Sequence, residues 1–167
     1  MTLSELETVC TYDRSELVCF KNKGKNAIFS NFYPFTFTVD GVTFHSVEQF
    51  YHWRRLQGTP RFQEKILTYT DEKNAWRCFN YTRIRGVAAV IEKDLSKRIE
   101  YMREALRLKL THCEGFREAL MATGNRPIAE INQTSKPDDI WAVNVSRESA
   151  SGSNILGKLL MELRQSL

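Results

Sequence analysis

The chain has 167 residues, 42% hydrophobic and 26% charged, with a formal net charge of +4. That length suits one domain with a real core, and the composition excludes a disordered or fibrous chain. The mild positive balance favours anionic partners but lacks the concentrated patch of a dedicated nucleic-acid domain; basic residues cluster only at Arg54-Arg55 and in "YTRIRG".

Residues 1–15 are polar and are expected to form a loosely ordered segment ahead of a domain over 16–167. "ELVCF" reads as a short strand and "KNKGKNA" as an exposed basic loop. In "FTFTVDGVTF", Phe35, Phe37 and Val39 alternate with threonines and Asp40-Gly41 supplies a turn, which predicts a hairpin. Ser46 and Gln49 form an S-x-x-Q capping box, so a helix is expected from about Val47. Thr59 before Pro60 is a cap with proline at the first helical position. Thr70 or Asp71 can cap a third helix through Trp76. The longest helix is expected from about Val90 to His112, where Ile91, Leu95, Ile99, Met102, Leu106 and Leu110 recur at helical steps. "EGFREALMATG" reads as another helix stopped at Gly124. "IAEI" and "IWAVNV" read as short strands joined by the polar turn "NQTSKPDD". "SGSNILGKLLMELRQSL" closes the chain as an amphipathic helix capped near Ser153. The sum is an α+β, mainly helical single domain with a small antiparallel sheet.

No apolar run reaches the roughly 18 residues that span a bilayer. "MTLSELETVC" is too acidic and polar for a signal peptide, so the expected location is the cytoplasm, with no membrane partner. Cys10, Cys19, Cys78 and Cys113 make no CxxC pair and read as free thiols. His45, His52 and His112 lack the spacing of a zinc site, so no metal or cofactor is expected.

Three stretches can carry chemistry. In "FHSVEQFYHWRR", Glu48 is not needed for the cap, and its first-turn position puts its charge beside the positive end of the helix dipole. Tyr51, His52 and Arg55 follow it on one helical face. That stripe is either a solvated charged face or one wall of a ring-lined pocket. A carboxylate in such a pocket suits glycosyl transfer, where it orients a water and offsets positive charge on an oxocarbenium-like sugar. "SGSNILG" either caps a helix through Ser153 or presents backbone N–H groups to a phosphate. "DDIWAV" either sets Asp138 or Asp139 beside Trp141 as a stacking platform or is a turn before a core tryptophan. Trp76, Arg77, Arg83 and Arg85 add rings and possible phosphate grips. Walker-type, dinucleotide-glycine and GxSxG motifs are absent, which argues against a P-loop nucleotidase and a serine hydrolase.

Taken in order, "FSNFYPFTFTVDGVTFHSVEQFYHWRRL", "MREALRLKL", "LMATG", "AEI", "DDIW" and "SNILGKLLMELR" resemble the NADAR or YbiA-like family from about Phe29 to Leu163. The resemblance implies a compact, mostly helical α+β fold. It implies an N-glycosidase acting on phosphoribosylated intermediates of riboflavin synthesis or on ADP-ribosylated guanine, including guanine in nucleic acid. By position, Glu48 matches the family's catalytic acid, Asn31 and Phe32 its pocket loop, and Asp138 and Trp141 its acid-to-tryptophan stretch. Ser153, Asn154 and Gly157 match an entrance to the last helix expected to lie near a phosphate. The catalytic candidates are therefore Glu48 and Asp138. Asn31, Phe32, Tyr51, Arg55, Trp141, Ser153, Asn154 and Gly157 are the substrate-binding candidates, with Arg55 and the 153–157 helix entrance expected to hold phosphate and Phe32, Tyr51 and Trp141 to stack on the base. The chain departs from the pattern at Asp94, where a tryptophan is usual, at "HWRRL", which brings His52 and Arg55 in place of glutamine and lysine, and at "AVNVSRESASG", which replaces a glycine-rich stretch. Those departures suggest altered substrate choice, or a non-catalytic module that binds ADP-ribose-like nucleotides.

Overall fold

The computed structural model describes residues 1–133 and 139–167. In chain order the elements are α1 (Leu3–Glu7), β1 (Cys10–Asp13), β2 (Val18–Phe20), β3 (Phe37–Val39), β4 (Val42–Phe44) and α2 (Val47–Arg55). There follow α3 (Pro60–Leu67), α4 (Asn74–Tyr81), α5 (Arg85–Val90), α6 (Leu95–His112) and α7 (Phe116–Ala122), then β5 (Ile128–Glu130), β6 (Asn144–Val145), β7 (Ser149–Gly152) and α8 (Ile155–Gln165). The fold is α+β and mainly helical. The chain forms two compact units, one of Met1–Ser30 with Gly115–Leu167, the other of Asn31–Glu114.

In the first unit, residues 1–15, expected as a loosely ordered segment, carry α1 and β1. Thr2 and Glu5 cap α1 reciprocally, the Glu5 carboxylate accepting from the Thr2 N–H at 2.6 Å. β1 pairs antiparallel with β7, and β7 with β6, while β2 runs parallel to β5. Leu17, Ala129, Val143 and Ala150 form a small core against Tyr12 and Cys19. α7 stops at Gly124, whose φ of 57° is left-handed, as the sequence predicts. The last helix is capped one residue later than expected: Asn154, not Ser153, is the N-cap, and its side chain caps nothing. Inward-facing Ile155, Leu156, Leu159 and Leu160 bury that helix. Lys158, also buried, donates to the carbonyls of Glu5, Leu6 and Thr8 at 2.9, 3.0 and 2.6 Å and so closes the C-terminal end of α1.

In the second unit the hairpin forms as expected, with Phe37 opposite Phe44 and Val39 opposite Val42. Asp40 and Gly41 both have positive φ, 49° and 79°, the twist that a two-residue turn needs between right-twisted strands. α2 starts at Val47 because the Ser46 hydroxyl accepts from the Gln49 N–H at 3.1 Å. The other half of the expected capping box is not made. Gln49 Oε1 accepts from the His45 N–H, one residue early, and Nε2 donates to the carbonyl of Ile66 in the last turn of α3 and to that of Tyr69 just beyond it. Pro60 opens α3, yet the Thr59 hydroxyl turns back to the Leu56 carbonyl and does not cap it. α4 runs from Asn74 to Tyr81, later than a cap at Thr70 or Asp71 and an end at Trp76 imply, and its buried Asn74 accepts from Ser46 Oγ at 2.6 Å. The expected helix from Val90 to His112 starts five residues late, at Leu95, and Val90 is instead the last residue of α5. Ile91 turns extended, and Asp94 restarts the chain as N-cap by accepting from the Lys97 N–H at 3.0 Å. Leu56, Ile66, Cys78, Val87 and Ile91 form the core, with Trp53, Phe62, Tyr69 and Tyr81 packed on it.

Candidate functional site

The stripe on α2 is buried and connected, not solvated. Glu48, Tyr51 and His52 are 7%, 4% and 3% exposed. Glu48 Oε1 lies 2.7 Å from His52 Nε2, and His52 Nδ1 lies 3.3 Å from Arg55 Nη1. Arg55 Nε donates to the Glu92 carbonyl at 3.1 Å, and its guanidinium sits 5.3 Å from the Tyr51 ring centre. Arg98, on α6, donates from Nε to the Tyr51 hydroxyl at 3.1 Å. Helical spacing alone puts the four α2 side chains on one face. What buries them is non-local: the Glu92 carbonyl after α5 and Arg98 on α6. The second carboxylate oxygen of Glu48 accepts no hydrogen bond among the described residues.

Burial sets the electrostatics. It pushes the Tyr51 phenol above its ordinary value against the opposing pull of Arg55 and Arg98. It depresses Arg55 below its ordinary value. On α4, burial and then the Glu48 charge push the Cys78 thiol up, so this sulfur stays protonated and is no nucleophile.

The Asn31–Phe32 segment joins this site through the backbone: the Glu48 N–H donates to the Asn31 carbonyl at 3.0 Å. The Asn31 side chain is 7% exposed, with Nδ2 3.4 Å from Met102 Sδ and Oδ1 without a partner among the described residues. A buried acceptor left unmatched costs about 1–3 kcal/mol, which marks the position as one that a ligand donor can relieve. Next to it, Phe32 packs edge-on against Trp76 at 5.0 Å and Phe79 at 6.1 Å. Trp76 is 48% exposed, so this trio presents an open ring. Arg83 lies 3.9 Å over Phe79. Lys109 is wholly buried, its Nζ 5.5 and 5.9 Å from the rings of Tyr33 and Phe35.

The structure therefore brings Asn31, Phe32, Glu48, Tyr51 and Arg55 together in the second unit. Tyr51 is enclosed by its neighbours, and two of the Arg55 nitrogens are engaged by His52 and Glu92. Trp141, Ser153, Asn154 and Gly157 belong to the first unit. Trp141 is half-buried and its N–H donates to Asp139 Oδ1 at 3.0 Å. Ser153 Oγ donates to the Glu7 carbonyl, and Asn154 Nδ2 to the Ile128 carbonyl and the Tyr12 hydroxyl. Gly157 has a packing reason: a Cβ there meets the Ile128 carbonyl and the Asn154 amide. Asp138 lies outside the described residues.

Arg98 and Lys109 were missed by sequence reasoning. Arg98 carries no local signal, since its partner is on another helix; Lys109 sits in "RLKL", where amphipathic periodicity hides a buried charge. Among the described residues no His, Cys, Asp and Glu side chains group as metal ligands, and no helix is long and apolar enough to cross a membrane.

Known proteins resemble this chain in fold and in sequence. The structure superposes on the NMR structure of YbiA from E. coli with a TM-score of 0.68 and 25% identity, covering 89% of this chain and 84% of that one. In sequence the chain is 29% identical over 143 residues to a riboflavin biosynthesis protein of Vibrio vulnificus (strain YJ016), covering 85% of this chain but only 36% of that protein. Residues 19–167 match the family described as the NADAR domain. With that match over nearly its whole length, the chain belongs to the NADAR domain family.

Proposed function

We propose that the protein is an N-glycosidase that hydrolyses a ribosyl–nucleobase bond in a phosphorylated substrate, either a riboflavin-biosynthesis intermediate or ADP-ribosylated guanine. One observation carries the reading: a buried carboxylate, Glu48, has one oxygen paired with His52 at 2.7 Å and its other oxygen unengaged among the described residues. Such a carboxylate has a fixed orientation and a lone pair to offer, which is what a general base needs.

In the proposed reaction Glu48 takes a proton from water as the water oxygen bonds to the anomeric carbon. The bond from that carbon to the base nitrogen breaks, and its electron pair leaves with the base. A proton returned to that nitrogen gives free base and ribose hydroxyl, so one water is consumed and the carboxylate is restored. Positive charge gathers on the sugar as the bond to the base nitrogen stretches ahead of the new bond to water, and the Glu48 carboxylate, still ionised at that point, offsets it. Phe32 and the exposed Trp76 offer rings for the base, and Asn31 Oδ1 offers an acceptor. Arg55 and Arg98 supply positive charge for phosphate.

The test is Glu48→Gln against wild type, following base release from phosphoribosylamino pyrimidines and from ADP-ribosylated guanosine and DNA. Loss of the base should lower turnover by about 10²–10⁴-fold, with an unchanged circular dichroism spectrum. Turnover near the wild-type rate would defeat the mechanism. Stabilisation of both proteins by ADP-ribose with no base release would instead indicate a module that binds without cleaving.

A further inference from the structure

We infer that His52 is the positioning residue of Glu48, locked by Arg55 into the one tautomer that donates to the carboxylate. What the carboxylate then does rests on the N-glycosidase reading; the lock follows from hydrogen-bond chemistry. All guanidinium nitrogens are donors and none accepts. With Arg55 Nη1 3.3 Å from His52 Nδ1, that ring nitrogen must be the unprotonated acceptor. A neutral imidazole then carries its proton on Nε2, 2.7 Å from Glu48 Oε1. The other tautomer sets an N–H against the guanidinium and a lone pair against the carboxylate, both repulsive.

The direction of the chain is thus fixed from Arg55 to His52 to Glu48. Its far end is anchored on backbone, since Arg55 Nε donates to the Glu92 carbonyl. The Tyr51 ring lies under the guanidinium, and its hydroxyl is held by Arg98. Glu48 Oε1 is committed as the acceptor of His52, which leaves Oε2 as the oxygen that takes the water proton. His52 touches no reacting atom in this scheme. It sets the angle at which Oε2 meets the water, a task in which about 1 Å of misplacement can cost on the order of 10²-fold.

The experiment has two readouts. Long-range ¹⁵N NMR of the histidine rings at about pH 8, where an ordinary imidazole is neutral, reads the tautomer without any substrate. The chain has 3 histidines, and His52→Gln assigns the signal by deleting it. The expected spectrum shows protonated Nε2 and unprotonated Nδ1 at His52, turning to a tautomer mixture in Arg55→Leu. A protonated Nδ1, or a ring unchanged in Arg55→Leu, overturns the lock. The second readout is kinetic. His52→Leu should lower kcat by about 10²-fold while KM stays within about threefold. His52→Gln, whose amide has both a donor and an acceptor, should restore most of kcat. A leucine variant as fast as wild type, or a glutamine variant as slow as leucine, overturns the positioning role. If wild type releases no base from any substrate, the N-glycosidase reading falls, and the ring spectrum still decides the lock.

Discussion

Replacing Gly157 by alanine tests whether the start of α8 is a packing joint or a ligand cradle. A Cβ on Gly157 approaches the Ile128 carbonyl oxygen and both Asn154 amide atoms to under 3.0 Å. The nearest of these is backbone, which cannot swing aside as a flexible side chain does. Overpacking of that kind costs about 1–3 kcal/mol. Moving the Asn154 amide also strains its 2.9 Å bond to the Ile128 carbonyl, worth about 1 kcal/mol. Against this stands the gain of about 0.5–1 kcal/mol that alanine brings over glycine inside a helix. The net expectation is a loss of about 1–3 kcal/mol. For a chain of this length that lowers Tm by about 2–12 °C.

Differential scanning calorimetry of the ligand-free protein reads this directly, with Gly86→Ala as the matched control. Gly86 lies in α5 with nothing within 4 Å of its Cβ position, so the same change there should stabilise by about 0.5–1 kcal/mol. An unchanged or raised Tm for Gly157→Ala would refute the packing argument. If the glycine served only to let a phosphate approach, the alanine variant would lose ligand protection while its ligand-free Tm stayed at the wild-type value.

Lys158→Met should free α1 by leaving the carbonyls of Glu5, Leu6 and Thr8 unmatched, at a cost of about 2–3 kcal/mol; hydrogen exchange at Leu6 should then quicken, and unchanged protection there would refute the cap. A second expectation concerns alkaline stability. Burial raises the thiol of Cys78 above its ordinary 9.0 and the phenol of Tyr51 above its ordinary 10.0. Groups raised in the folded state contribute stability that is whole below the unfolded value and lost as pH climbs towards the folded one, because the unfolded chain ionises first. The unfolding free energy should therefore fall from about pH 9 upward, by at most about 1.4 kcal/mol per pH unit for each group. Urea unfolding across that range should show a shallower fall in Cys78→Ala, and identical slopes would show that the thiol ionises equally in both states.

What was legible in the sequence was whatever depends on neighbours along the chain. Asp40-Gly41 set its turn, Pro60 its helix start and Gly124 its stop, because positive φ and a missing N–H are local constraints. The break between α5 and α6 was hidden for the same reason that the long helix was attractive. Ile91 and Leu95 keep the helical rhythm of apolar residues, yet the Asp94 side chain outcompetes the backbone for the Lys97 N–H. Gln49 shows the opposite failure. Its local capping role was partly overridden by the buried carbonyls of Ile66 and Tyr69, which have no other side-chain donor in the hydrogen bonds described. The parallel pairing of β2 with β5 joins strands far apart in sequence, and no local pattern signals that.

The candidate site divides along the same line. Spacing on α2 was enough to put Glu48, Tyr51, His52 and Arg55 on one face, but not to choose between solvent and burial. That choice was made by Asn31, Glu92 and Arg98, each from elsewhere in the unit. The departures from the family pattern then separate by what they touch. Asp94 caps α6, and residues 144–152 form β6 and β7, so both have a structural role that needs no ligand. His52 has no capping role; its ring nitrogens face a carboxylate and a guanidinium. A neutral ring between those two groups can satisfy both in only one orientation of its proton. Glutamine, with a donor and an acceptor on one amide, can satisfy the same pair. On that chemistry histidine and glutamine can hold the Glu48 carboxylate in the same orientation.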